Sequence, residues 1–383
     1  MDAHHAVVVL DLTEPLAASV ELAKDGAAWA GGPKASAPAA LHHELALDGL
    51  EEGARYRYRV ILGAAPALET DRGGRALTLA TAPPATASVT ALLIADLQAG
   101  RYDELLPELS RRDDLGFVLS LGDHVGLHDD PVRNGPAQYL DYLLGPLGAV
   151  TARAPLFAAI GNHDLANARD AKVRAAALAE WRAHMVLPPG TLPGEEERVY
   201  SFEWGPLHVA VLDSLDAAKG EGWGVVGADE LAWLAADLGR STRRWKVVAL
   251  HHVVHGTEAP PGQEQAAWFQ VSNAAEVHAA LRAAGVNLVL SGHRHAAMCY
   301  VLDGIRYVVA PTLSREKILP LRPGRPDWTP VGGEPGTFPR GYGDAFGYGV
   351  LHATPERLDI EPVTYAADKS GLVPAAVPRV SLP

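Results

Sequence analysis

Cysteine is nearly absent from the sequence, and long apolar runs are missing altogether. The 383 residues include one cysteine, Cys299, so no disulfide can form within the chain. No stretch approaches the roughly 18 consecutive apolar residues of a membrane helix, which predicts a protein without a membrane partner. The first residues contain neither the basic nor the apolar segment of a signal peptide. A cytoplasmic location is the expectation, and a secreted protein that had lost its leader would begin in the same way.

Basic residues are also fewer than acidic ones. The chain has 33 Lys and Arg against 46 Asp and Glu, which gives a formal net charge of −13 at pH 7. Proteins that bind nucleic acid displace counterions with a basic stripe, and the sequence has none. We therefore expect no nucleic-acid partner. The length is sufficient for two domains.

The first part of the chain has the pattern of an all-β domain. Short apolar runs, separated by glycine and proline, follow one another at the intervals of a β-sandwich. Tyr56 and Tyr58 alternate with arginines, and this period of two is typical of a half-buried strand. The proline-containing segment 81–86 is the predicted boundary, which divides the chain into domains 1–84 and 85–383.

After this boundary, apolar runs of strand length alternate with helical patterns, which favours an α/β architecture. Six runs have the composition of buried strands: Thr90–Ala95, Gly116–Leu121, Leu156–Ile160, Leu207–Leu212, Lys246–Leu250 and Val286–Leu290. Asn273 with Glu276 predicts a capping box at the start of a helix. The segment 314–344 is rich in proline, glycine and arginine and is longer than an ordinary connection.

Polar side chains follow five of these strands, at the point where each strand ends. They are Asp96 and Gln98; Asp123; Asn162, His163 and Asp164; His251; and His293 and His295. Ligands of open α/β folds lie beyond the carboxyl ends of the strands, so we expect these side chains to come together. Their carboxylates, amides and imidazoles suit first-row metals such as Mn, Fe or Zn. Any one of them alone is more often a cap, a turn former or a buried imidazole, but that explanation leaves their repetition at successive strand ends unaccounted for.

In this order, the blocks resemble the calcineurin-like metallophosphoesterase superfamily. Its pattern is Asp-x-His, Gly-Asp, Gly-Asn-His-Asp or Glu, a single His after a strand, and Gly-His-x-His. Gly161–Asp164 is the most specific of the blocks, and Gly292–His295 is the last of them. The resemblance covers residues 90 to about 310 and implies a four-layer α/β/β/α sandwich that hydrolyses phosphate esters.

The resemblance also implies two divalent or trivalent metal ions, with a hydroxide between them that attacks the phosphorus in line. The ligands of one ion would be Asp96, Asp123 and His295. Those of the other would be Asp123, Asn162, His251 and His293. His163 would protonate the leaving group, and Asp164 would orient His163.

Two positions depart from the family pattern. Gln98 stands where the family usually has a histidine ligand, and its amide oxygen is the weaker ligand for a first-row metal. Some members that cleave phosphodiesters or pyrophosphates resemble this Asp-x-Gln form. Gly126 stands where purple acid phosphatases have a tyrosine, three residues after the bridging Asp123. No iron–tyrosinate centre is therefore expected.

The segment from His43 to Val60, with its Tyr-x-Tyr-x-Val ending, is similar to the fibronectin-III-like N-terminal domain of purple acid phosphatases. The predicted fold is thus an all-β, fibronectin-III-like sandwich followed by the α/β four-layer sandwich. The predicted activity is hydrolysis of a phosphorylated small molecule, with a phosphatase favoured. Gln98 leaves a nucleotide-type phosphodiesterase or diphosphatase open. A non-catalytic binding protein on the same fold is a third alternative, but it would have no need of the proton donor His163.

Further polar residues have open alternatives. His252 and His255 follow His251, and His124 follows Asp123, so each is either a substrate contact or an ordinary buried histidine. Four arginines are either solvated charges or phosphate contacts: Arg315, Arg322, Arg325 and Arg340. The sequence makes no prediction about the oligomeric state.

Overall fold

The structure, a computed structural model, describes residues 2–29, 31–98, 102–126, 138–166, 168, 170–215, 224–255, 270–315, 334–335, 345–368, 371–375 and 380–382. The strands of these residues form one four-stranded sheet and two seven-stranded sheets. Arg322, Arg325 and Arg340, and most of the segment 314–344, lie outside the described residues.

Every regular element described in the first 84 residues is a strand, as the sequence predicts. They are β1 (Ala6–Lys24), β2 (Ala35–Leu47), β3 (Arg55–Leu62) and β4 (Thr78–Ala80). They pair antiparallel in the order β2-β1-β3-β4. In β3, Tyr56, Tyr58 and Val60 are buried and the arginines between them are not, so the predicted period of two is present. These described strands form a single sheet, and the second sheet of a fibronectin-III-like sandwich stays a prediction.

The first mixed sheet begins with three parallel strands, β5 (Val89–Ile94), β6 (Phe117–Ser120) and β7 (Leu156–Ala158). It is completed by antiparallel strands from the end of the chain: β15 (Ala345–Ala353), β16 (Leu358–Asp368), β17 (Gly371–Ala375) and β18 (Val380–Leu382). Nearly every residue of β5 and β6 is buried, which is typical of parallel strands that are covered on both faces.

The second mixed sheet has the order β14-β12-β13-β11-β10-β9-β8. Its strands are β8 (Tyr200–Trp204), β9 (Leu207–Val211), β10 (Trp245–Ala249), β11 (Leu288–Ser291), β12 (Met298–Leu302), β13 (Ile305–Val309) and β14 (Glu334–Pro335). The four strands β9, β10, β11 and β13 are parallel. All six strands predicted from the apolar runs are therefore present, within two residues of their predicted bounds.

The helices lie between the strands, as the alternation predicts. They are α1 (Leu106–Arg111), a π-helix (Tyr139–Leu144), α2 (Gly148–Thr151), α3 (Ala171–His184), α4 (Ala228–Arg240) and α5 (Ala274–Ala283). No described helix is long and apolar enough to span a bilayer. The predicted capping box at Asn273 is wrong, because the amide of Asn273 pairs with the backbone of Val226 and leaves the start of α5 uncapped.

The two mixed sheets pack face to face. Phe157 of the first sheet stacks on Phe202 of the second, with ring centroids 3.7 Å apart. Phe117 meets Phe202 and Trp204 edge to face at 5.4 and 5.7 Å. A second apolar cluster joins residues of β9, β10 and β11 to α4 and α5. The chain from residue 89 onward is thus an α/β sandwich built on mixed sheets.

A buried ionic network ties α4 to the edge of the second sheet. His208 Nε2 lies 2.6 Å from Asp237 Oδ2, and His208 Nδ1 lies 3.4 Å from Glu203 Oε1. Burial by itself lowers the pKa of His208, but the hydrogen bonds to the two carboxylates outweigh it, so this pKa lies above its usual value. The network is therefore strongest when His208 is protonated.

We expect His208→Gln to destabilise the protein most in mildly acidic solution. A histidine whose pKa is raised by folding contributes stability that is complete below its unfolded pKa of about 6.5 and is lost as the pH rises through the folded pKa. In urea denaturation, the free energy of unfolding should fall by roughly 1.5–3 kcal/mol at about pH 5.5 and by less at about pH 9. In an Asp237→Asn background the pH dependence of this loss should be much smaller. A deficit of equal size at both pH values would contradict the assignment.

Candidate metal centre

Four of the predicted ligands have left-handed backbone conformations. The angle φ is +54° at Asp96, +59° at Asp123, +68° at His293 and +50° at His295. A residue with a Cβ adopts this region at a cost of order 1 kcal/mol or more, so the surrounding contacts must enforce it. The four residues lie in the turns that follow β5, β6 and β11. These turns direct their side chains to one place beyond the carboxyl ends of the parallel strands.

The carboxylate of Asp123 lies at the middle of this cluster and is buried. Its Oδ1 accepts a hydrogen bond from the peptide N–H of His163 at 2.9 Å and lies 3.2 Å from His251 Nε2. Its Oδ2 accepts a hydrogen bond from the side-chain amide of Gln98 and lies 4.0 Å from His163 Nε2. The loops after three other strands therefore meet at this one carboxylate.

Two groups of possible metal ligands share Asp123. Within each group, one ligand atom from each residue lies within 4.8 Å of the others. One group is Asp123, His251 and His293, and the other is Asp96, Asp123 and His295. The structure thus brings these five residues together in two groups. Asn162, which the sequence analysis assigns to the first of them, lies with its Oδ1 3.0 Å from His251 Nε2.

The Nε2 atom of the His251 ring faces two oxygen atoms of the cluster. Its Nδ1 lies 2.7 Å from the carbonyl oxygen of Leu121, which can only accept, so Nδ1 carries the proton. Nε2 then faces Asn162 Oδ1 at 3.0 Å and Asp123 Oδ1 at 3.2 Å. Two oxygen atoms and a ring nitrogen this close need a positive charge among them, which is a proton on Nε2 in the metal-free protein and a metal ion when one is bound. The donor set therefore fits a metal ion.

The side-chain amide of Gln98 also lies at this centre, in contact with Asp123. Its Oε1 is buried and has no hydrogen-bond partner within the described ranges, while its amide nitrogen contacts Asp123. The two ends of an amide differ little in shape, so a half-turn of the group places the oxygen beside Asp123 instead. In that orientation the oxygen lies beside the carboxylate that both ligand groups share, where it fits a metal ligand.

The electrostatics of the centre also favour bound positive charge. Burial raises the pKa of Asp96 to about 8, and the neighbouring charge of Asp123 adds to this rise. Burial also opposes ionisation of Asp123, but the charges of His251 and His163 outweigh it and hold the pKa of Asp123 well below its usual value. Burial likewise opposes protonation of His251, yet Asp123 raises its pKa to about 9. A cation between the carboxylates would remove the penalty on Asp96.

Asp164 holds the turn that carries the shared carboxylate. Its oxygens accept hydrogen bonds from the peptide N–H groups of Gly161, Asp123 and His124 at 2.8, 3.0 and 3.1 Å. They also contact the ring of His124 at 3.0 Å and the hydroxyl of Tyr139 at 3.2 Å. Sequence reasoning missed Tyr139, because only the fold brings its helix against this turn. The predicted orientation of His163 by Asp164 stays a prediction.

The histidines next to the candidate ligands differ in their exposure to a substrate. His252 and His124 are both fully buried, which does not favour substrate contact. His255 lies in an aromatic group with Tyr300 and Tyr307. Arg315 is partly exposed and pairs with Glu104 at 2.8 Å. The side chains of His163 and His295 are 14% and 15% exposed, so these two are accessible to a substrate.

Two glycines permit the close approach of these loops. A Cβ on Gly161 would lie 2.3 Å from both the nitrogen and Oδ1 of Asp123. Gly122 has a φ of +96°, and a Cβ there would lie 2.6 Å from His251 Nδ1. A larger residue at either position would push a candidate ligand out of place.

A family model described as calcineurin-like phosphoesterase matches residues 89–297, which is more than half of the chain. The chain therefore belongs to the calcineurin-like phosphoesterase family. It is a metallophosphoesterase, which is a metal-dependent hydrolytic enzyme. The resemblance that the sequence motifs carry is thus confirmed.

Solved structures show the same fold at low sequence identity. A structure of PhoD is 16% identical, with a TM-score of 0.70, and the match covers 99% of this chain and 91% of PhoD. The purple acid phosphatase PPD1 from yellow lupin (Lupinus luteus) seeds is 12% identical, with a TM-score of 0.68, and the match covers 100% of this chain and 72% of PPD1. The comparison with curated proteins finds no match. In fold, the chain is a purple acid phosphatase-like metallophosphoesterase.

We expect Gly161→Ala to abolish metal binding, because the added methyl group displaces Asp123 from both ligand groups. Metal content per chain, measured by mass spectrometry after loading and desalting, should fall to the level of Asp123→Ala. Gly239→Ala is the matched control, since its Cβ would meet nothing within 4 Å. A Gly161→Ala protein that is folded and retains two metals would refute this account of the centre.

Proposed function

We propose that the chain hydrolyses small phosphorylated molecules with a pair of metal ions and favours phosphate monoesters. The observation that carries this proposal is that both candidate ligand groups contain Asp123. A carboxylate shared by two such groups is typical of a two-metal site. The proposed ligands are Asp96, Gln98, Asp123 and His295 for one ion and Asp123, Asn162, His251 and His293 for the other.

The donor types support Mn, Fe or Zn as the ions. Two such ions, held by these residues, would supply Lewis acidity and an activated water molecule for in-line attack. Their positive charge would reverse the local field, so a formal net charge of −13 does not oppose an anionic substrate. Gly126 takes the place of the purple acid phosphatase tyrosine, so the proposal includes no iron–tyrosinate centre.

His163 is proposed as the general acid, oriented by Asp164. Its Nε2 lies 4.0 Å from Asp123 Oδ2, and its side chain is partly exposed. A leaving-group oxygen can therefore reach His163 from solvent while Asp123 stays buried. As the general acid, His163 would deliver a proton from Nε2 to the leaving-group oxygen.

A phosphodiesterase or diphosphatase is the second candidate, and the contact between Gln98 and Asp123 favours it. The neutral amide stands beside the group that contains Asp96. An ion held there has one imidazole, from His295, where the usual family pattern gives two. This changes the Lewis acidity at one side of the substrate and can change the preference between monoesters and diesters.

The domain division is also a proposal. We propose that residues 1–84 form a fibronectin-III-like domain and residues 85–383 the catalytic domain with its four α/β/β/α layers. The single antiparallel sheet of β1 to β4 supports an all-β unit, and the apolar clusters on the second sheet support separate layers. The match to the PPD1 fold covers 100% of this chain and therefore spans both proposed domains.

The proposed activity is tested by the variant His163→Ala. We expect it to keep both metals and to lose about 10²–10⁴-fold in kcat on alkyl phosphates, as is usual when a general acid is removed. Nitrophenyl phosphate should be affected much less, because its leaving group needs no proton. Asp123→Ala is the control that loses both metals and all turnover. Equal losses on alkyl and nitrophenyl esters would give His163 another role, and a wild-type protein with no turnover of any phosphate ester would overturn the proposed function.

We expect the two metal-binding steps to have unequal affinities, with the weaker step at the group that contains Gln98. Gln98→His should tighten that step, since imidazole suits first-row metals better than an amide oxygen. Calorimetric titration of the metal-free protein measures both steps. Turnover of a nitrophenyl monoester and of the matching bis-ester by the same variants separates the two candidate functions. Unchanged affinities in Gln98→His would show that Gln98 is no ligand.

A further inference from the structure

His252 has no role in the proposed function, although it directly follows the candidate ligand His251. Its side chain is fully buried among the turns of the metal centre. Its peptide N–H donates to Ser214 Oγ at 3.1 Å, and its ring Nδ1 lies 2.9 Å from the same hydroxyl. Ser291 Oγ donates to the carbonyl oxygen of His252 at 3.3 Å. His252 is therefore held at three polar atoms by two serines.

These serines belong to the strands on either side of the His252 loop. Ser214 follows β9, His252 follows β10, and Ser291 is the last residue of β11. The three strands are adjacent and parallel. The hydrogen bonds therefore join three consecutive strand ends, and His293 follows Ser291 by only two residues.

The Ser214 hydroxyl holds the ring of His252 through Nδ1. Because the Ser214 hydroxyl accepts from the peptide N–H of His252, its single hydrogen is free to point at Nδ1. The ring then packs against the imidazole of His293, with centroids 4.3 Å apart, and lies 5.2 Å from that of His251. Both imidazoles that serve the group of Asp123, His251 and His293 thus rest on the ring of His252.

We propose that His252, held by Ser214 and Ser291, is a positioning residue that sets His251 and His293 at the spacing a metal ion requires. This inference rests on the proposed function, because it takes those two histidines as ligands. The effect is selective: among the described contacts, none of the hydrogen bonds of His252 goes to Asp96 or His295. Groups that orient metal ligands from behind typically contribute about 10- to 100-fold in metal affinity.

The test compares three variants of the full chain by calorimetric titration of metal-free protein with Zn²⁺ and, separately, Mn²⁺. Ser214→Ala removes the hydroxyl, and His252→Gln cannot present an acceptor where Nδ1 lies. His252→Asn can, because its side-chain amide reaches the position of Nδ1. His295→Ala, which removes a ligand of the other group alone, identifies which binding step belongs to which group.

We expect Ser214→Ala and His252→Gln to weaken one of the two metal-binding steps by about 10- to 100-fold. That step belongs to the group of Asp123, His251 and His293, and it is recognised as the step that His295→Ala affects less. His252→Asn keeps the contact with Ser214 but loses the ring that packs against His293, so it should weaken the same step by less than His252→Gln does. Ser214→Ala combined with His252→Gln should be little worse than either alone, since both break one contact. Ser201→Ala is the matched control, because Ser201 lies on β8 of the same sheet and its Oγ donates to Asp237 of α4 at 3.0 Å, away from the metal loops. The control should bind both metals normally.

The outcomes separate this inference from the proposed function. Wild-type affinities in both Ser214→Ala and His252→Gln overturn the positioning role, whatever the activity. Intact metal binding in these variants together with a fall in kcat on phosphate esters also overturns it, because His252 would then act on the substrate. A His252→Asn protein as weak as His252→Gln contradicts the role of the Nδ1 contact. A wild-type protein that takes up no metal overturns both the inference and the function beneath it.

Discussion

The burial of two neighbouring carboxylates, those of Asp96 and Asp123, is the constraint on which the rest of this structure depends. Neither is more than 1% exposed, and two buried negative charges cannot coexist without compensation. The surrounding imidazoles, the left-handed turns and the close contacts at Gly161 all bring compensating groups within reach. The strain of the turns is thus the cost of a site whose side chains are held in position before any metal ion arrives.

The support for this site comes from behind and is divided between two networks. Asp164 binds the peptide groups of the turn after β6, and His252 is tied to the strand ends on either side of it. Neither of these residues is open to solvent. Rigidity therefore comes from buried polar groups, while the accessible face is left to side chains such as His163 that can meet a substrate.

Much of the site could be read from the sequence because its side chains adjoin strands that are recognisable as buried apolar runs. His251 directly follows such a run and Asp123 follows another after one glycine, so a rule about strand ends predicts that the two come together. The contacts of Asp164 could not be predicted, because a hydrogen bond to Tyr139 depends on how a helix packs. The capping box at Asn273 failed for the same reason: Val226, remote in sequence, uses the amide. Local patterns predict elements, and long-range pairing decides what polar side chains bind.

The contact between Asp96 and the backbone of His293 closes a span of 197 residues. Contacts across such spans form late and slowly, since the chain between them must first be ordered. Both mixed sheets contribute loops to the cluster, so neither can assemble it alone. We therefore expect metal ions to play no part in nucleating the fold. The polypeptide must reach its native topology without metal ions. Ions that bind afterwards would stabilise the folded state and slow its unfolding.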